Sequence, residues 1–191
     1  MQITHRLIHG LYGALLALLL IFSTSQPASA DAAADRVALD ALFVQLHDAP
    51  DAEAANKLSD QIWAIWTNPS DPDIAARMRD VIEARMTRSP DITLELLNEL
   101  ISDFPDYAEG WNQRATLYYM LGDFEASIAD CAKVLELEPR HFGALSGRAM
   151  MYLQLDKRSL ALRDIQAALA IHPFLSERLL FPELQQQITR T

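Results

Sequence analysis

His5 and His9 stand four residues apart, the spacing at which a helix offers two imidazoles to one metal ion. Both fall inside the apolar leader described below, so the pattern carries no site. The remaining histidines, His47, His141 and His172, lie near predicted helix ends, where an exposed imidazole needs no ligand role. No metal site is expected. Glu136 and Glu138 offer neighbouring carboxylates. Acid–base work, however, needs two carboxylates held in different environments around one cleft, which neighbours on a solvated helix face do not supply. The chain has no glycine-rich phosphate loop and no G-x-S-x-G nucleophile elbow. Cys131 is the sole cysteine, so no intramolecular disulfide can form, and its place in a helix marks it as a small buried side chain. These patterns point away from an enzyme and from any cofactor.

Charge narrows the partners. The 191 residues hold 16 basic and 26 acidic side chains, a net charge of −10. Such a surface repels phosphate backbones and anionic membranes, so nucleic acid is not an expected partner. Residues 1–30 read as a secretory signal: Arg6 near the start, the apolar run Leu11 to Phe22, and small residues ending Ala28-Ser29-Ala30. A membrane-crossing helix needs about 20 apolar residues, more than this run provides. No stable membrane insertion is therefore expected once the signal is removed, and the location expected is periplasmic or secreted.

The elements that must position any site repeat along the chain. Trp111 and Leu145 are 34 residues apart, as are Arg114 and Arg148, Ala115 and Ala149, Tyr118 and Tyr152, and Asp130 and Asp164. Pro105, Pro139 and Pro173 keep the same interval. Within each unit, apolar residues recur at helical spacing on two segments. Gly122-Asp123 breaks the first unit, glycine suiting a left-handed turn and aspartate a helix start. Asp156-Lys157 stands at the equivalent place in the second. Each proline, lacking an amide hydrogen, ends its unit.

These residues resemble the tetratricopeptide repeat, a 34-residue helix-turn-helix unit. Trp111, Ala115, Tyr118, Gly122, Ser127 and Pro139 match its pattern, and Leu145, Ala149, Tyr152, Ala161, Ala168 and Pro173 match it again. The resemblance implies an all-α, right-handed α-solenoid. Residues 108–141 and 142–175 form two repeats, and 72–107 a degenerate third. Upstream, 31–71 reads as a helical hairpin divided at Ala49-Pro50-Asp51, capping the first repeat. Downstream, 176–191 reads as a capping helix that Pro182 either divides or begins, because repeat stacks need covered ends.

The resemblance also implies a functional face, the concave groove lined by the first helix of each repeat. Carried over residue by residue, that face is Met78, Ile82 and Met86, then Asn112, Thr116, Tyr119 and Met120, then Ser146, Met150 and Leu153. Such a methionine-rich lining suits an adaptable contact with a protein or peptide segment. Chaperone-binding members of the family hold a C-terminal carboxylate with lysines and asparagines. Asn112 alone matches that set, so this activity is not expected. Arg114 with Asp130, and Arg148 with Asp164, would form an ion pair inside each repeat.

The function expected is thus an adaptor or scaffold outside the cytoplasm, holding a partner segment in the groove. The alternative is a structural subunit of an envelope assembly, with Trp63 and Trp66 of the hairpin joining subunits and the groove filled by the chain itself.

Overall fold

The computed structural model describes residues 30–87 and 89–184, so the expected signal at 1–30 lies outside it apart from its last residue. Eight α-helices follow in order: α1 Ala30–His47, α2 Ala52–Thr67, α3 Pro72–Thr87, α4 Pro90–Asp103, α5 Ala108–Leu121, α6 Phe124–Leu137, α7 Phe142–Gln154 and α8 Arg158–Ile171. No strand occurs among the described residues. Local chemistry sets the starts. The Asp51 side chain accepts from the Ala54 amide at 2.8 Å, Asp71 from Asp73 and Ile74 at 3.0 and 3.2 Å, and Asp123 from Ala126 at 3.1 Å.

The two turns inside the repeats are equivalent despite different residues. Gly122 closes α5 at φ 79°, and the Asp123 amide reaches back to the Tyr118 carbonyl at 2.9 Å. One repeat later Asp156 takes φ 56°, and the Lys157 amide reaches the Tyr152 carbonyl at 2.7 Å. Aspartate is among the few side chains that tolerate this left-handed geometry, which is how the turn survives without glycine.

Helices pair α3 with α4, α5 with α6 and α7 with α8, and successive pairs stack through α4 on α5 and α6 on α7. Small residues let the paired helices cross closely: the Ser127 hydroxyl donates to the Ala115 carbonyl at 2.6 Å, and Ala149 and Ala161 are fully buried in the next unit. Each crossing carries an ion pair. Arg114 grips Asp130 with Nε and Nη2 at 2.7 and 2.8 Å, and Arg148 Nε donates to Asp164 at 2.5 Å. Both aspartates are buried. Arg114 Nη1 also donates to Asn98 of α4, tying one repeat to the one before.

One expectation about the ends needs correction. The α1–α2 hairpin does not simply cover the first repeat. Its Leu39, Phe43, Leu46, Ile62 and Trp66 share one core with Phe142, Leu145, Ala149, Ile165 and Ala168 of the last repeat. His47 donates to the Ala170 carbonyl of α8, and Arg140 bridges Glu138 and Asp40 while lying over the Phe43 ring. The aromatic face of α2 finds its apolar partner where α7 begins, while Asp35 and Ser70 hydrogen-bond beside the α2–α3 linker.

The segment after the last repeat is not one continuous helix. Ser176–Leu180 forms a short 3-10 turn, and helix resumes at 182 and runs to the last described residue. Pro182 disfavours helical backbone at Phe181, so the chain closes this stretch with three-residue hydrogen bonds such as Phe181 to Arg178. Phe181 is fully buried and completes the core of the last repeat.

Candidate functional site

A cleft of about 200 Å³ opens between α5, α6 and α7. Its α5 wall is the stripe Asn112, Thr116 and Tyr119, three residues one helical turn apart. The facing α7 wall is Gly143, Gly147 and Met150 with the same spacing, and Ala115, Ser127, Cys131 and Met151 form the remainder. Four of the ten groove residues read from the sequence therefore meet here: Asn112, Thr116, Tyr119 and Met150. Met120 stands beside Tyr119 and is 64% exposed.

The other five are elsewhere. Met78 is fully buried in a core with Val81, Leu97, Leu100 and Leu117, and the half-buried Ile82 packs against that core. Neither reaches the cleft. Met86 lies in the last turn of α3 at 81% exposure, outside it. Ser146 turns toward the C-terminal segment, its hydroxyl bonding the Gly143 carbonyl and, at 3.4 Å, Glu177. Leu153 packs into the core shared with the hairpin. Helix rotation explains these misplacements: the residues one helical turn apart that line a groove also border the buried seam, and small shifts in packing decide which side they take.

Polar groups around the cleft are already engaged with one another. The Asn112 amide donates to the Glu109 carboxylate at 3.1 and 3.2 Å, and Gln113 donates to Glu109 at 2.5 Å while accepting from Arg85. The Thr116 hydroxyl donates to the Asn112 carbonyl at 2.9 Å. Asn112, the one residue matching a carboxylate-holding set, thus has its donor turned to an acid of its own chain.

Glu109 is the hub of a sealed network. His141 Nε2 lies 3.0 Å from it, and both side chains are fully buried. His141 Nδ1 accepts the Ala144 amide at 3.0 Å and so caps α7. Because Nδ1 accepts, the ring proton sits on Nε2 and points at Glu109. The Trp66 ring stacks on this imidazole at 4.0 Å, and Tyr107 donates its hydroxyl to the Trp66 carbonyl. Burial pushes the Tyr107 hydroxyl's pKa well above its usual range. The expectation of exposed histidines fails here: among the described residues His141 and His172 are interior, and only His47 is exposed.

Trp63 closes one end of the cleft. A methyl placed on Gly143 would fall 2.7 Å from two atoms of the Trp63 ring, whereas one on Gly147 would meet nothing within 4 Å. The sequence signal for this notch was available in the Gly143-x-x-x-Gly147 spacing, which puts both glycines on one helix face. Cys131, at the cleft floor, is buried, and burial pushes its thiol up to about 12. Among the described residues no His, Cys, Asp and Glu cluster could hold a metal, and no helix is long and apolar enough to cross a membrane.

Known proteins agree with this architecture. The chain is 36% identical over 135 residues to a TPR repeat-containing protein of Rhizobium etli, a match covering 71% of this chain and 66% of that protein. It is 40% identical over 80 residues to tetratricopeptide repeat protein 34 of Homo sapiens, covering 40% of this chain and 14% of that protein. The chain thus spans just under two thirds of the first relative and a small part of the second. In fold, it is similar to a solved structure described as the first TPR of Spaghetti bound to the HSP90 peptide SRMEEVD, with TM-score 0.55, 18% identity, and coverage of 62% of this chain and 94% of that one. Residues 108–141 match the family model for the tetratricopeptide repeat, so the α5–α6 hairpin that carries one wall of the cleft is a unit of that family, set in a solenoid of helical repeats.

Proposed function

We propose that this protein is an interaction module that holds a segment of a partner protein in the cleft between α5 and α7. The observation that carries the reading is the cleft itself: two facing helical stripes, one of them notched by Gly147, with an apolar floor that no part of the described chain fills. The solved structure of similar fold is described as peptide-bound, which supports the same use of the architecture. The leader-like composition of residues 1–30 supports placing that function outside the cytoplasm. The alternative of a structural subunit joined through Trp63 and Trp66 loses its support, because both rings pack within the chain against His141 and Phe142.

The test is a crosslinking pull-down from the exported fraction, with Met150→Glu and Tyr119→Ala beside the unaltered chain. Partners captured by the unaltered chain and lost with both variants support the reading. Partners retained equally by both variants place the interaction elsewhere.

A further inference from the structure

The cleft has a closed end and an open end. Trp63 covers Gly143. At the other end Tyr119, Met120 and Leu121 are all exposed, and the Tyr119 ring lies 5.7 Å from that of Phe124. A volume of about 200 Å³ suits one large side chain, since pockets for whole small molecules run about 300–1,000 Å³. The empty place above Gly147 is where such a side chain would enter.

Charge and hydrogen bonding favour one kind of bearer for that side chain. The donors of Asn112, Thr116 and Ser127 are engaged internally, so the unused capacity of all three is for accepting. Helices α5 and α7 both end toward the open side, where the partial negative charge of their C-termini is offset by the partial positive charge of the α6 and α8 N-termini, so the side chains there set the sign. Neither has a basic residue in its last turn. Asp123, Glu125 and Asp156 stand at the turns that follow; Lys157 offsets part of their charge, while Arg158 is paired with Glu183. Arg85 of the neighbouring α3 is turned to Gln113. The exposed Tyr119 ring offers a face to a cation.

We propose that the groove takes a short cationic segment, lysine- or arginine-flanked, that seats one bulky apolar side chain in the cleft above Gly147. This rests on the reading of the cleft as the interaction surface and adds the chemistry of its occupant.

The probe is a capped nonapeptide in which four lysines alternate with glycines around a central phenylalanine. Its controls carry glutamate for lysine, or glycine for phenylalanine. Binding to the full chain is followed by fluorescence anisotropy at low ionic strength. The lysine–phenylalanine peptide should bind, and each control should bind at least about tenfold more weakly. Gly147→Leu, which fills the open space, should weaken the lysine–phenylalanine peptide by a similar factor, and Met150→Lys serves the same purpose should Gly147→Leu not fold. Tight binding of the glutamate peptide, still lost in Gly147→Leu, overturns the cationic occupant but leaves the cleft as the interaction surface. Binding of the lysine peptide that is indifferent to both variants overturns both readings. Absence of binding by every peptide at millimolar concentration overturns the cationic, single-anchor occupant.

Discussion

His141 points its Nε2 at the carboxylate of Glu109 across 3.0 Å, and no solvent reaches either side chain. Glu109 stands in the first turn of α5 and His141 caps the start of α7, and the two are joined only by folding. Three donors converge on Glu109, from Asn112, Gln113 and His141. Glu109→Ala leaves all three without an acceptor, and the loss expected is at least ~3 kcal/mol of unfolding free energy. Glu109→Gln, although isosteric, turns an amide donor toward these donors and should also cost more than ~1 kcal/mol. Urea denaturation checks both. A Glu109→Gln variant as stable as the parent would mean that the three donors do not converge as described.

The ion pairs within the repeats should be equally asymmetric. Removing the guanidinium in Arg114→Ala strands the buried Asp130 and should cost about 3 kcal/mol, whereas Arg148→Ala leaves Asp164 its bonds from Arg163 and should cost less. Replacing both members of a pair, as in Arg114→Met with Asp130→Leu, should recover most of the loss. Thermal melts of the single and double variants decide it: single variants that melt with the parent would show the pairs to be energetically idle.

The repeat was legible because it is periodic. Trp111, Ala115, Tyr118 and Pro139 recur at a fixed interval with their counterparts, and each helix pair can be read from its own residues. What joins distant elements was not. Nothing in the local pattern of α2 shows that Trp66 will stack on His141, since that contact depends on where the hairpin lies once folded. The same limit misplaced Met78, whose sequence position borders both the groove and the interior. His141 was hidden for a different reason: a histidine before a helix looks like a solvated cap, and Glu109 of α5 with Trp66 of α2, both distant in sequence, make it interior.

Gly143 and Gly147 should respond in opposite directions to the same change. Gly143→Ala forces a methyl against the Trp63 ring, which edges onto Trp66 and Phe142 and has little room to move. A loss of ~1–3 kcal/mol is expected from this overpacking. Trp63→Leu in the same chain should relieve the clash. Gly147→Ala meets open space and gains helix propensity, so it should be neutral or stabilising by up to ~1 kcal/mol. Chemical denaturation of the two single variants is sufficient, and equal losses in both would contradict the placement of Trp63.

Acid should weaken the fold through His172. Burial holds its pKa below the ordinary 6.5, and its Nδ1 accepts the Phe174 amide. The unfolded chain therefore binds a proton more readily than the folded one. Stability is fully present above 6.5 and falls as pH drops through 6.5 toward the lower folded value. His172→Asn keeps an acceptor but cannot titrate. Between pH 7 and 5 its unfolding free energy should fall less steeply than the parent's, the difference in slope staying within the one-proton limit of ~1.4 kcal/mol per pH unit. Identical slopes would remove His172 as a source of acid sensitivity.

Cys131 reports on the cleft without any substitution. Its thiol lies at the floor beside Ala115 and Met151, and burial raises it to about 12, so thiolate is scarce at neutral pH. Since the thiolate is the reactive form, labelling by an aromatic disulfide reagent at pH 8 must await opening of the α5–α7 contact. The native chain should react at least ~100-fold more slowly than the urea-unfolded chain, as local opening that requires ~3 kcal/mol would dictate. An occupant seated above Gly147 would stand between Cys131 and solvent and slow labelling further. A reaction rate near that of the unfolded chain would show that the cleft floor is open to reagent, and with it that the packing of α6 beneath α5 and α7 is looser than described.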